Sequence, residues 1–170
     1  MYNPIKVLVE EHDLLLHAVN TARQIQLIKD NELYHNKVHD IILFFRNFTE
    51  MYHYPKEDGI LYPVLKNYTT GISPGLISEL PNNHEDLDQL LADIIDAHVS
   101  HEYVSLRVAL NKYLNELTEQ VETESNTILK NAEHLLSEQE AHTIFYQFAE
   151  LDRRDGTKET LHKRYHSISV

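Results

Sequence analysis

Residues 34–67 read YHNKVHDIILFFRNFTEMYHYPKEDGILYPVLKN. Apolar side chains recur there at Val38, Ile41, Ile42, Phe45, Phe48, Met51, Tyr52, Ile60 and Leu61, mostly three or four apart. That is the period of one helical face, not the alternation of a strand, and it predicts a helix over about 34–67. Upstream, residues 4–29 show mostly the same spacing at Ile5, Leu8, Val9, Leu15, Leu16, Val19, Ile25 and Ile28. Asn3 before Pro4 is a helix start, a capping side chain followed by a proline at the first helical position. A break near Asp30 and Asn31 separates the two helices. Downstream, residues 69–81, TTGISPGLISELP, hold two of the four glycines and two of the five prolines, so they predict the one long loop. Helices are then predicted over about 82–98, 101–131 and 138–152, with Ser100 as a cap for the second of these. Ser137 and Glu140 form a capping box for the last. Four long helices with short connections predict an all-α fold, an antiparallel up-down four-helix bundle. A short C-terminal helix would pack outside it. The expected organisation is one domain over 1–170, with the bundle at about 3–135 and the C-terminal helix and tail at about 137–170.

Composition narrows the chemistry. There are no cysteines, so disulfides, thiolate zinc sites, iron–sulfur clusters and thiol nucleophiles are excluded. Four glycines are too few for Gly-rich phosphate loops or a many-stranded fold. Lys and Arg number 15 and Asp and Glu 27, a net charge of −12. Such a surface repels phosphate backbones and anionic lipid, so no nucleic-acid and no membrane partner is expected. No apolar run approaches the roughly 20 residues of a membrane span. The start, MYNPIKVLVEEHDLLL, has acids inside its apolar stretch and no small-residue cleavage site, so a cytoplasmic protein is expected. The twelve histidines are the unusual feature, because imidazole is the commonest metal ligand.

Four predicted helices carry a donor on an apolar stripe. His53 and Glu57 are four apart on one face that continues to Ile60 and Leu61. A histidine and a carboxylate facing a core are costly unless paired; a metal ion would pair them, and an exposed imidazole beside a solvated carboxylate is the alternative. His12 lies on a stripe with Leu8, Leu15 and Leu16, where a satisfied core histidine is the competing reading. His84 has Leu80, Leu87 and Leu91 on its face, with a capping role as the alternative; Asp88, four residues on, reads as a solvated carboxylate, with a second metal donor as the alternative. Glu124 lies near Leu117, Val121 and Ile128, and Gln120 precedes it by four. Nitrogen and oxygen donors without sulfur suit iron, manganese or zinc at two adjacent positions, and carboxylates can bridge two cations.

At these residues the sequence resembles the hemerythrin-like family of HHE cation-binding domains. The family pattern is an early E-H, then H-H-x-K-E-E-x-x-L-F-P, then E-H, then H-x-x-K-E-E-x-x-L-F. It is matched here by Glu11-His12, by residues 53–63 (HYPKEDGILYP), by Asn83-His84 and by residues 120–129 (QVETESNTIL). Phe148, Glu150, His162 and Tyr165 resemble a bacterial branch of the family. The resemblance implies a four-helix bundle with a non-haem di-iron centre. His12, His53, Glu57, His84 and Glu124 would be its ligands, with the two glutamates bridging. Gln120 stands where the family has a histidine, Tyr54 replaces the second histidine of a pair, and Pro55 sits inside a ligand helix. Fewer histidines than in the oxygen carriers disfavour simple oxygen transport. The expected task is binding or sensing O2, NO or peroxide, or handling iron. The rival readings are a di-iron oxidase or iron-centre repair protein, and a metal-free helical interaction module. Gln120, Glu122 and Asp88 are the candidates for completing the site.

Overall fold

The computed structural model describes residues 3–153. His162 and Tyr165 lie outside the described residues. Helix α1 spans Pro4–Ile25. Helix α2 runs over 31–65 in α segments Asn31–Phe48, Tyr54–Lys56 and Tyr62–Leu65, joined by the π turns Thr49–His53 and Glu57–Leu61. Helix α3 is Pro74–Val99. Helix α4 runs over 103–135, with the π turn Glu124–Leu129 between Tyr103–Thr123 and Lys130–Leu135. Helix α5 is Glu138–Arg153. The described residues contain no strand. Neighbours pack in the order α1–α2–α3–α4 and back to α1, which is the antiparallel four-helix bundle, and α5 lies against α1 and the second π turn of α2. No described helix is long and apolar enough to cross a membrane.

The helix starts follow from local chemistry. Asn3 Oδ1 accepts from the Lys6 N–H at 2.9 Å, and Asp30 Oδ1 accepts from the Leu33 N–H at 2.7 Å. The Ser137–Glu140 capping box forms, with the Ser137 N–H donating to Glu140 at 2.9 Å and the Glu140 N–H to Ser137 Oγ at 3.3 Å.

Three expectations are corrected. Helix α3 begins at Pro74, eight residues before the expected start, and runs through Pro81. An internal proline costs about 3 kcal/mol, but Ile77 and Leu80 are fully buried, and each such side chain contributes about 1.5–3 kcal/mol. The predicted loop over 69–81 therefore shrinks to the turn before Ser73. Second, Ser100 does not cap α4; it closes α3. The Glu102 N–H reaches the Ala97 carbonyl and the His101 N–H the His98 carbonyl, with His101 at φ 55°, a Schellman turn with histidine in the position glycine favours. Third, α1 stops at Ile25. Arg107 on α4 donates to the carbonyls of Gln26 and Ile28 at 2.6 Å each, satisfying groups that a longer helix would have used.

The bundle interior is split by a polar layer. One apolar cluster includes Leu15, Phe48, Tyr52, Leu87 and Val121. The other includes Leu8, Leu61, Leu80, Ile128 and Phe148. On each helix the residue between these two clusters is polar: His12, the His53–Glu57 pair, His84 and Glu124, all buried. The three π turns fall at this layer. One ends on His53, one begins at Glu57 and one begins at Glu124. Such wide turns are rare and concentrate where a helix re-aims side chains. Pro55, which has no N–H to give, lies two residues past the end of the first of them.

Candidate metal centre

All five sequence-predicted residues meet in this layer. Each histidine is held at Nδ1 by a residue from another helix. His53 Nδ1 donates to Glu11 Oε2 at 2.9 Å, and His84 Nδ1 to Asp58 Oδ2 at 2.8 Å. Carboxylates accept only, so both rings carry a proton on Nδ1 and turn Nε2 inward. His12 Nδ1 lies 2.7 Å from Ser125 Oγ. The inward nitrogens of His12 and His53 are 3.1 Å apart.

The two glutamates lie between the histidines. His12 Nε2 is 3.4 Å from Glu57 Oε1 and 3.6 Å from Glu124 Oε2. His84 Nε2 faces the opposite oxygens, 3.5 Å from Glu57 Oε2 and 3.3 Å from Glu124 Oε1. His53 Nε2 is 3.4 Å from Glu57 Oε2. Each carboxylate therefore offers one oxygen towards His12 and the other towards His84. Donor atoms of His12, His53, Glu57 and Glu124 all lie within 4.8 Å of one another. Among the described residues, neither oxygen of Glu57 accepts a hydrogen bond and His84 Nε2 has no hydrogen-bond partner, although all three atoms are buried. Orphaned buried acceptors are rare and costly. A cation among them would satisfy all three, so the donor set fits a metal.

The electrostatics agree. Burial, with Glu124 alongside, pushes the Glu57 carboxyl up to about 8. Burial acts the same way on Glu124, but the nearby His84 and His12 outweigh it and hold its carboxyl below the usual range. Burial alone would lower His84; Asp58, Glu124 and Glu57 override it and raise the imidazole to about 10. Without a cation the layer thus balances its charge with protons, one on Glu57 and one on His84. Burial lowers His12, favouring the neutral form that ligates metal.

The family model described as hemerythrin HHE cation binding domain matches residues 3–132. The chain belongs to this hemerythrin HHE family. No curated protein and no solved structure matches it. Within the HHE match, two of the three departures place side chains against the layer. Gln120 donates from Nε2 to Glu124 Oε1 at 3.1 Å, so its side chain does point at the layer. Tyr54 stacks on His84, ring centroids 3.8 Å apart. Of the other candidates for completing the HHE site, Glu122 is exposed and Asp88 is half-buried. Sequence reasoning missed the supporting residues Glu11, Asp58 and Ser125, and also Tyr62, which donates to Glu124 Oε1 at 3.1 Å. The signal was adjacency, since Glu11 precedes His12, Asp58 follows Glu57 and Ser125 follows Glu124.

Proposed function

We propose that this HHE-domain protein holds two non-haem iron ions and binds or senses a small ligand such as O2, NO or peroxide, or handles iron. The observation that carries the reading is Glu57. It is a fully buried carboxylate whose oxygens accept no hydrogen bond from the described residues, set among three inward imidazole nitrogens and a second carboxylate. His12 and His53 would hold one ion and His84 the other, with Glu57 and Glu124 shared between them. Iron in such a set would supply an open coordination position and reversible electron transfer. The residues do the rest: Glu11, Asp58 and Ser125 orient the three rings, and Tyr62 and Gln120 fix Glu124 by hydrogen bonds. The two apolar clusters keep water from the layer on both sides. The His84 position has one imidazole where the other has two, which makes it the weaker site and the one open to an exogenous ligand.

A second reading, a di-iron oxidase, draws on the tyrosines. Tyr54 and Tyr62 both lie against the layer, and the Tyr54 hydroxyl is buried without a hydrogen-bond partner among the described residues. Multiple turnovers with a reductant and O2 would favour the oxidase over a binding protein, which reacts once.

Metal content separates the proposal from a metal-free module. Protein purified anaerobically from iron-fed cells should carry about two irons per chain. His53→Ala should carry far less, and His134→Ala, an exposed site on α4, as much as the wild type. Equal iron in all three would overturn the proposal.

A further inference from the structure

One buried cation near the layer is not needed as a ligand. Lys56 sits in the short α segment between the two π turns of α2 and is fully buried. Its Nζ pairs with Glu11 Oε1 and lies 2.8 Å from Asp152 Oδ1. It also stands 3.7 Å from the centroid of the Tyr52 ring and 5.8 Å from that of Phe148. The other oxygen of Glu11 holds His53 Nδ1 at 2.9 Å. Asp152, Lys56, Glu11 and His53 thus form one continuous chain of contacts. Its far end, with Phe148, belongs to α5, which lies beyond the residues 3–132 that the HHE family model covers.

We propose that Lys56 is a positioning residue through which α5 fixes the orientation of His53 and so sets metal affinity. An ammonium taken out of water needs compensating charge, and here two carboxylates from two elements share it. With Asp152 present, Lys56 is held from the α5 side, and Glu11 divides its oxygens between Lys56 and His53. Without that charge, Glu11 is the only carboxylate left to the lysine among the described residues, and its hold on His53 Nδ1 loosens. The imidazole then loses both its fixed orientation and the basicity that a carboxylate partner gives to Nε2. Metal binding and α5 docking are linked in both directions, because a coupling between two events is reciprocal.

The inference rests on the metal reading above, and the test separates the two. Co2+ is titrated into the full chain against a competing chelator, with its visible absorption followed. Five proteins are compared: wild type, Asp152→Asn, Asp152→Glu, Ile144→Val and His53→Ala. Removing an outer partner of a metal-bound histidine typically costs about 10–100-fold in affinity, so Asp152→Asn should bind about 10-fold more weakly and shift the Co2+ band. Ile144 is buried on α5, and trimming it loosens packing without touching the charges, so Ile144→Val should bind as the wild type does. Asp152→Glu should restore binding. Wild-type affinity in Asp152→Asn, with binding lost in His53→Ala, defeats the positioning role and leaves the metal reading standing. Equal weakening in Ile144→Val and Asp152→Asn means α5 acts by packing alone and also defeats it. Undiminished binding in His53→Ala overturns both.

Discussion

Gln120 stands four residues before Glu124 and already donates to its Oε1. Gln120→His would therefore bring an imidazole to the side of the layer that has only His84. The expected outcome is tighter binding of the second cation, read as a steeper approach to two per chain in a chelator titration. No change would mean that the ring turns away into the groove lined by Leu87, Leu90 and Lys112. The five central residues were legible in the sequence because each interrupts an apolar stripe. His12 lies between Leu8 and Leu15, His84 between Leu80 and Leu87, and Glu124 between Val121 and Ile128. Their supports were marked in the sequence by adjacency alone, because each serves a different helix from its own. Glu11 on α1 holds His53 on α2, Asp58 on α2 holds His84 on α3, and Ser125 on α4 holds His12 on α1. Only the packed bundle reveals such pairs. Lys56 was hidden for the same reason: its partners are 45 residues upstream and at the end of α5.

Among the helices, what the sequence showed well were periodic faces and caps, as at Asn3 and Ser137. It showed poorly what tertiary contact decides. The prolines at 74 and 81 punctuate the sequence like a loop, yet α3 starts on the first, and buried Ile77 and Leu80 carry it through the second. The π turns leave no mark on a 3.6-residue pattern. Two glycines test this reading of the elements in opposite directions. Gly71 has φ +91°, and an added Cβ would meet Leu135 Cδ2 at 3.0 Å. Gly71→Ala should cost about 1–3 kcal/mol in urea unfolding. At Gly59, in the second π turn, an added Cβ meets nothing within 4 Å, so Gly59→Ala should stabilise by about 0.5–1 kcal/mol. At the far end of the bundle, the ring of His35 stacks on those of His98 and His101, centroids 3.7 and 4.4 Å away. Burial lowers the His98 pKa; the carbonyl of His35 opposes this, and the neighbouring imidazoles of His35, His39 and His101 add to it. The unfolded chain then takes up that proton more readily than the folded one. The stabilisation is complete above the unfolded value, near 6.5, and is lost as pH falls towards the folded pKa. Between pH 7 and pH 5.5, the urea midpoint of the wild type should fall more steeply than that of His98→Gln, whose amide can still donate to the His35 carbonyl. Parallel slopes would remove His98 from the acid response.

For the whole molecule, a buried layer of three imidazoles and two carboxylates divides the core, and a cation held there, as proposed, would offset its cost. Two consequences follow from linkage. Metal at 100 times its Kd stabilises the folded chain by about 2.7 kcal/mol, which for a domain of this size is a rise of about 5–10 °C in Tm. A chelator should reverse it. Binding must also displace the protons on Glu57, whose carboxyl sits up at about 8, and on His84, raised to about 10. Affinity should therefore rise with pH between 6.5 and 8, measured by chelator competition at fixed ionic strength. An affinity independent of pH would mean that neither proton is lost. The most direct test of the central claim is an anomalous-difference map at the iron edge from anaerobic, iron-loaded crystals. It should show two peaks in the polar layer. One should be bound by His12 and His53 and the other by His84, with Glu57 and Glu124 reaching both. Iron elsewhere on the chain, or a layer in which Glu57 binds no metal, would contradict it.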